Sequence, residues 1–244
     1  MGNKHGYTTV INHIEEFRYR FICCIVVVCL LTVVAWPLSQ FLIDWIVETL
    51  CPPDLGPLYY TAPMELFFLK LKFSAIMAIC LAAPYIMYHL WCYISPGLFR
   101  REKQMIRGSC GFSFLLFVLG ASIGLFVIFP ILMQYSISMQ TTEIKPLINV
   151  SSCLGMAAWL MLGFGICFQL PIILIAMMRL ELISVERLQK LRPHIIVGIF
   201  LIAAILTPPD LISQLVMGIP TWLLYEISLM IGKKITTRIR KESR

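Results

Sequence analysis

Charged side chains are scarce in this sequence. Asp, Glu, Lys and Arg make up 14% of its 244 residues, whereas a soluble domain of this size carries about 25%. Hydrophobic residues make up 59%, and the mean hydropathy is +0.84. This composition excludes an ordinary soluble domain and predicts an all-α polytopic membrane protein. One membrane domain of several helices uses the whole length and leaves no room for a second.

Motifs that support catalysis or cofactor binding are also missing. The four histidines show no H-E-x-x-H pattern or other metal-ligand spacing, and the chain has no P-loop for a nucleotide. None of the nine cysteines forms a C-x-x-C pair, and most lie in apolar runs, where cysteine serves as a small packing residue. We therefore predict no catalytic residue, no metal and no cofactor.

One pattern typical of enzymes does occur. Residues 120–124, GASIG, match G-x-S-x-G, which would make Ser122 a nucleophile. That motif requires a strand-to-helix turn and a base, whereas this stretch lies inside an apolar run. The same residues match G-x-x-x-G, a pattern of helix packing in membranes. We therefore favour a packing surface over an active site.

Six apolar segments predict six transmembrane helices. Their approximate bounds are 21–36, 67–90, 111–133, 154–178, 194–206 and 212–231. Pro37 is expected to close the first segment, Pro171 to interrupt the fourth and Pro220 to break the sixth. The fifth segment is shorter than the ~20 residues that a full crossing needs. Residues 38–50 have apolar side chains at helical spacing, which predicts a separate amphipathic helix on the membrane surface.

The placement of Lys and Arg predicts the orientation. Seventeen lie on the side of the N-terminus, and three, Lys70, Lys72 and Lys145, lie on the other. The positive-inside rule then places both termini in the cytoplasm. The net charge of +7 is thus a topology signal and does not indicate nucleic-acid binding. We divide the chain into a cytoplasmic segment 1–20, a membrane domain 21–232 and a basic cytoplasmic tail 233–244.

Two cysteines lie in the larger loops on the opposite, non-cytoplasmic side. These are Cys51 and Cys153. Their spacing does not determine whether they form a disulfide, because that depends on the distance and direction of the side chains.

Carboxylates at the cytoplasmic face are candidate ligands for a cationic partner. Glu15 and Glu16 precede the first apolar run, and Glu102 lies in the loop between the second and third segments. Glu16 and Arg20 are four residues apart, so they can pair along one face of a helix. The alternative stays open: these acids are solvated and pair only with neighbouring bases of this chain, Glu16 with Arg20 and Glu102 with Arg101 or Lys103.

Polar groups at membrane depth form a second set of candidates. Gln169 lies deep in the fourth segment, Glu226 lies in the sixth, and Asp210 follows Pro208 and Pro209 at the outer end of the fifth. Because a polar group is costly in hydrocarbon, each should face a partner, another helix or water. For Gln169 we favour interhelical contact or function. For Glu226, structural pairing and function are both open.

The stretch that contains Glu15 and Glu16 resembles the TatC family, the receptor subunit of the twin-arginine protein translocase. Residues 13–20, HIEEFRYR, are similar to the family's H-x-x-E-L-R-x-R stretch at the start of the first span. The match places Glu16 at the family's glutamate and Arg18 and Arg20 at its two basic positions. Phe17 replaces the usual leucine.

The resemblance continues along nearly the whole chain. Residues 88–98 are similar to the family's Y-Q-x-W-x-F-I-x-P-G-L stretch, with His89 and Tyr93 in place of the usual Gln and Phe. Glu102 matches the family's loop glutamate. Further similar segments are Phe168–Pro171 (F-E/Q-x-P), Arg192–Pro193, Leu206–Asp210 (containing T-P-P-D), Ser213–Gln214, Pro220 and Tyr225–Glu226.

The resemblance implies a fold and a function. The family forms a concave, glove-like bundle of six helices and binds signal peptides that carry two consecutive arginines and accompany folded cargo. Each guanidinium can donate a bidentate pair of hydrogen bonds to a carboxylate, which lysine cannot reproduce. Glu16 and Glu102 are the implied acceptors, and Arg18, Arg20 and Tyr93 complete the implied signal-peptide site.

The resemblance also implies partners. These are single-span TatA- and TatB-like proteins, with transport driven by the proton-motive force, and further copies of the chain within the complex. Gln169 stands where the family often has a glutamate, and its amide can hydrogen-bond but cannot titrate. Thr207 and Gln214 are polar candidates where the family docks a partner helix, and Glu226 is a further candidate. Pro208, Pro209 and Asp210 form the motif on the outer side.

Two other functions compete with this one. Short or broken helices with intramembrane polar groups also suit a small-solute or ion transporter, although the two halves show no inverted repeat. An intramembrane enzyme would depend on Ser122. We favour the protein-export receptor, and we favour a bacterial inner membrane over an organelle inner or thylakoid membrane because no transit peptide is visible.

Overall fold

The computed structural model describes residues 4–52, 58–94, 103–138, 148–179, 183–206 and 211–242. This part of the chain is helical apart from short turns and one isolated parallel bridge between Tyr59 and Asn149. In chain order the helices are α1 Lys4–Leu50, α2 Glu65–Ile94, α3 Lys103–Ile123, α4 Phe129–Ser138, α5 Val150–Cys167, α6 Leu170–Arg179, α7 Val185–Lys190, α8 Arg192–Leu206 and α9 Leu211–Glu242. The prediction of an all-α membrane protein is confirmed.

Five stretches in the described residues are long and apolar enough to cross a membrane. They are Ile14–Leu50, Glu65–Tyr93, Cys110–Ser138, Val150–Arg179 and Leu211–Lys234. The predicted fifth segment forms α8, whose 15 residues extend about 22 Å, less than the ~30 Å hydrocarbon core. The sixth crossing therefore depends on a helix that is as short as the sequence predicts.

Pro37 does not end the first helix, contrary to the prediction. Helix α1 continues through Pro37 to Leu50, so residues 38–50 are its C-terminal end and do not form a separate surface helix. Proline is tolerated inside membrane helices because neighbouring groups can satisfy the backbone carbonyl that it leaves without a donor. Ile43 and Ile46 in this end are buried, and the Trp45 ring contacts Phe126 edge-on at 5.8 Å.

Pro220 does not break the last helix either, because α9 runs uninterrupted from Leu211 to Glu242. The predicted interruption of the fourth segment is confirmed, but it lies just before Pro171. Helix α5 ends at Cys167, two residues form a turn, and α6 begins at Leu170. Between α3 and α4, residues 124–128 form one π-helical turn, which ends two residues before Pro130.

The chain divides into two compact units. The first contains residues 1–42 and 70–114, that is, most of α1 and α2 and the start of α3. Within it, the Trp91 indole Nε1 donates a 2.9 Å hydrogen bond to the buried Ser113 Oγ, which joins α2 to α3. Phe17 on α1 and Tyr93 on α2 bring their rings to 5.3 Å. These contacts hold the N-terminal part of α1 beside the C-terminal end of α2.

The second unit contains residues 43–69 and 115–244, with helices α4 to α9. Helices α6, α7 and α8 all pack against α9. Their shared core consists of six buried side chains: Met178, Val185, Leu188, Ile199, Tyr225 and Leu229. The Tyr225 hydroxyl donates a 2.7 Å hydrogen bond to the Leu188 carbonyl, so its one polar group is satisfied inside this apolar core.

Candidate functional site

Glu16 and Arg20 form the ion pair that their spacing predicts. Both lie on α1, one turn apart, so their side chains occupy the same face. The Arg20 guanidinium donates from Nη2 at 2.6 Å and from Nε at 3.0 Å, and both hydrogen bonds end on Glu16 Oε1. Among the hydrogen bonds of the described residues, none ends on Glu16 Oε2. The pair is partly exposed, 25% for the Arg20 side chain and 34% for that of Glu16.

An apolar cavity of about 360 Å³ lies beside this pair, within the first unit. Side chains of α1 between Phe17 and Cys29 line one wall, and side chains of α2 between Ile79 and Tyr93 line the other. Arg20 belongs both to the ion pair and to the cavity wall. A charged group is thereby placed next to an apolar surface, an arrangement that suits an amphipathic ligand.

His89 is a polar group in the cavity wall that the sequence did not assign to a site. It lies between Tyr85 and Tyr88, whose ring centroids are 4.4 and 5.7 Å from its own. Its Nδ1 is buried and has no hydrogen-bond partner among the described residues. The only sequence signal was its departure from the family's glutamine, because an isolated histidine in an apolar run does not identify its neighbours.

The other candidate residues at the cytoplasmic face lie in different surroundings. Arg18 and Glu15 are exposed on α1, and Tyr93 is half-buried in the cavity wall. Glu102 lies outside the described residues. The structure therefore brings together Glu16, Arg20 and Tyr93 within one unit, and the role of Glu102 remains a prediction from the resemblance.

Gln169 lies in the turn between α5 and α6. Its side chain is buried, and its backbone N–H donates to the Ile166 carbonyl at 2.9 Å while its own carbonyl accepts from Ile173 at 3.1 Å. A turn interrupts the regular hydrogen bonding of a helix, but these two bonds satisfy both the backbone N–H and the backbone carbonyl of Gln169. Gln169 therefore lies at a helix break inside protein, which is where irregular backbone is tolerated at membrane depth.

Glu226 is paired with Arg192, a contact that sequence spacing could not predict. Arg192 Nη2 lies 2.9 Å from Glu226 Oε2, which links the start of α8 to α9. Gln214 is half-buried near the start of α9, about 18 Å along the helix from Glu226. Thr207, Pro208, Pro209 and Asp210 lie outside the described residues.

The GASIG stretch is a packing surface, as predicted. A Cβ atom at Gly120 would lie 2.5 Å from the Phe164 carbonyl oxygen, and one at Gly124 would lie 2.5 Å from that of Leu160. Both contacts are with the backbone of α5. The absence of side chains at these two glycines therefore allows the two helices to approach closely. In the described residues, no three His, Cys, Asp or Glu side chains come close enough together to hold a metal ion.

Comparison with protein families gives one consistent result. The family model of TatC, the Sec-independent protein translocase protein, matches residues 12–220. The Sec-independent protein translocase protein TatC of Desulforapulum autotrophicum is 34% identical over 237 residues, which cover 96% of this chain and 87% of the relative. TatC of Haemophilus influenzae is 32% identical over 235 residues, with coverages of 96% and 92%.

A solved structure agrees with the sequence comparison. The crystal structure of the twin arginine translocase receptor TatC in DDM matches with a TM-score of 0.83 at 31% identity. The match covers 90% of this chain and 99% of the crystallised chain. At this identity and coverage, the likeness extends to nearly the whole fold.

Proposed function

The chain belongs to the TatC family of Sec-independent protein translocase proteins, and from this premise we propose that α1 and the C-terminal end of α2 receive the twin-arginine signal peptide. The protein is a multi-pass inner-membrane subunit of a protein translocase. Its role is transport, and it is not an enzyme. The observation that carries the proposal is the Glu16–Arg20 pair beside the apolar cavity.

Glu16 is the proposed acceptor for one signal arginine. Arg20 uses only Oε1 of the carboxylate and holds the Glu16 side chain in place. No hydrogen bond from the described residues ends on Oε2, and we propose this oxygen as the acceptor for a guanidinium of the ligand. Because the pair is partly exposed, a contact here supplies about 1 kcal/mol or less, and most of the affinity must come from buried apolar surface.

The cavity is the proposed seat for apolar residues of the signal peptide. Its lining is hydrophobic except for a few groups, which include Arg20 and His89. An apolar segment entering it would be shielded, while the adjoining arginines reach the carboxylate. Tyr93 contributes ring surface to the wall and is positioned by its contact with Phe17.

The remaining assignments follow from family membership. We propose Glu102 as the second carboxylate for the arginine pair, and Arg18 as part of the basic surroundings. TatA- and TatB-like single-span proteins are the proposed partners within the translocase complex, with the proton-motive force as the energy source. Gln169, Thr207, Gln214 and Glu226 are proposed contacts within the membrane.

The test is binding of a labelled signal peptide to the full chain in nanodiscs. The Arg-Arg peptide is compared with a Lys-Lys peptide of otherwise identical sequence. We expect wild type to prefer Arg-Arg, and we expect Glu16→Gln and Glu102→Gln each to reduce that preference by up to about fivefold, equivalent to about 1 kcal/mol.

Glu15→Gln is the matched control. It removes the same charge one residue away, from an exposed acid that does not pair with Arg20 among the described contacts. We expect it to retain the wild-type preference. If Glu16→Gln binds both peptides as wild type does, or if Glu15→Gln has the same effect as Glu16→Gln, the assignment of Glu16 is wrong.

A further inference from the structure

Tyr59, which follows α1 in the sequence, is attached to the start of α5 by backbone hydrogen bonds. Within the second unit, the Tyr59 N–H donates to the Ile148 carbonyl at 3.1 Å, and the Val150 N–H donates to the Tyr59 carbonyl at 2.8 Å. The Asn149 side chain caps α5 by accepting from the backbone N–H groups of residues 151 and 152. This junction lies on the side that the Lys and Arg distribution predicts to be non-cytoplasmic.

Two thiols meet at the same junction. Cys51 directly follows the last residue of α1, and Cys153 lies in the first turn of α5. Their side chains are hydrogen-bonded to each other although they are 102 positions apart in the sequence. Cys153 is buried, and its Sγ lies 3.6 Å from Met133 Sδ, whereas Cys51 is half-buried.

We propose that Cys51 and Cys153 are a disulfide-forming pair that fastens the C-terminal end of α1 to the N-terminal end of α5. Their side chains lie within hydrogen-bonding reach of each other. Tyr59, eight residues after Cys51 in the sequence, is hydrogen-bonded through its backbone to residues 148 and 150, and Cys153 follows three residues later. The bacterial periplasm, which the predicted topology places on this side, is an oxidising compartment where disulfides persist.

The reaction is an exchange with an external disulfide, such as that of a dithiol oxidase or oxidised glutathione. The Cys51 thiolate attacks one sulfur of the oxidant and releases the other as a thiol. Cys153 then loses its proton and attacks the Cys51 sulfur of the mixed disulfide, releasing the second thiol. The two cysteines are oxidised by two electrons, the oxidant is reduced to two thiols, and these carry the two protons.

The surroundings of the two cysteines favour attack on the oxidant by Cys51 before Cys153. A hydrogen bond with Cys153 lowers the pKa of the Cys51 thiol, although burial acts in the opposite direction. Cys51 is also the more accessible of the two, so it is the thiol that an oxidant reaches first. Cys153 is shielded from external reagents and serves as the resolving thiol.

The experiment counts free thiols after oxidation of the full chain in nanodiscs. The protein is incubated with oxidised glutathione, quenched with acid, and labelled with maleimide-polyethylene glycol in denaturant with a metal chelator. Under these conditions, a cysteine escapes labelling only if its sulfur is covalently bonded. We expect two fewer labels than in the reduced sample and, on non-reducing peptide mapping by mass spectrometry, a linked pair of peptides containing Cys51 and Cys153.

Three variants make the result specific. Cys51→Ser and Cys153→Ser should each abolish the linked peptides, whereas Cys29→Ser, at an exposed cysteine within α1, should retain them. Reduction should lower the midpoint of thermal unfolding of oxidised wild type and leave that of Cys51→Ser unchanged. Full labelling of wild type after oxidation, or a linkage to a different cysteine, would overturn the proposal.

Discussion

Arg20 and Arg192 each pair with a glutamate, but the two pairs have different origins. Arg20 reaches Glu16 on its own helix, four residues away, so sequence spacing alone predicts the contact. Arg192 reaches Glu226, thirty-four residues away on another helix, and only the packing of α8 on α9 brings them together. Arg192 Nε is buried and has no hydrogen-bond partner among the described residues.

Cys51 gives a prediction at the residue scale. Because the hydrogen bond with Cys153 lowers its pKa, more of the Cys51 thiol is ionised at a given pH than for an ordinary cysteine. In reduced protein, we expect the alkylation rate of Cys51 by iodoacetamide to reach its half-maximum at a lower pH than in Cys153→Ala. The rates are measured by mass spectrometry of the peptide that contains Cys51.

The Cys153→Ala variant removes the donor and leaves the attacking thiol in place. The pH at half-maximal rate should then rise toward that of an ordinary thiol. Cys29→Ser serves as the control and should leave the profile of Cys51 as in wild type. Identical profiles for wild type and Cys153→Ala would show that the hydrogen bond does not affect ionisation.

At the scale of the elements, two glycines allow the end of α3 and the π-helical turn that follows it to approach α5 closely. Replacing Gly120 or Gly124 by Ala would place a Cβ atom 2.5 Å from a backbone carbonyl oxygen of α5, which cannot rotate away. We expect each substitution to reduce stability by about 1–3 kcal/mol, because the helices must separate. Thermal unfolding of the protein in detergent, followed by circular dichroism, measures the loss.

Gly111 is the matched control for this prediction because it lies in the same helix as Gly120, and a Cβ atom added there would meet no other side chain or helix within 4 Å. Gly111→Ala should leave the unfolding midpoint unchanged or raise it slightly, since alanine favours a helix. Ser122→Ala should retain peptide binding. Equal losses for Gly111→Ala and Gly120→Ala would contradict the packing argument.

For the whole molecule, the topology depends on whether α8 crosses the bilayer. Five long helices and α8 together give an even number of crossings, which keeps both termini on the cytoplasmic side. Local thinning of the bilayer can accommodate a helix about 22 Å long. We expect green fluorescent protein fused after Arg244 to fluoresce, and alkaline phosphatase inserted after Lys145 to be active.

The reciprocal fusion at the C-terminus completes this test. Alkaline phosphatase after Arg244 should be inactive, because the enzyme needs an oxidising compartment to form its disulfides. An active phosphatase at that position would show that α8 does not cross, and the predicted orientation of α9 would be wrong. The concave, glove-like arrangement remains an expectation from the resemblance.

Composition and helical periodicity were enough to establish the class of the protein and the positions of most of its helices. Long apolar runs with few charges have no stable alternative to helices in lipid, so their approximate positions follow from composition. Helical periodicity also predicted the pairing of Glu16 with Arg20 and the packing role of Gly120 and Gly124, since it alone places these residues on shared faces. The motifs from His13 onward were specific enough to identify the family.

Which distant residues meet depends on how the helices pack, and this emerged from the fold. The effect of Pro37 and Pro220 could not be read from the sequence, because a proline ends or continues a helix according to what its neighbours offer the freed carbonyl. The cavity beside Arg20, the position of His89 in its wall, the Arg192–Glu226 pair and the contact between Cys51 and Cys153 all join separate helices or segments. Periodicity orders residues along one helix, but it contains no information on which face of another helix they contact.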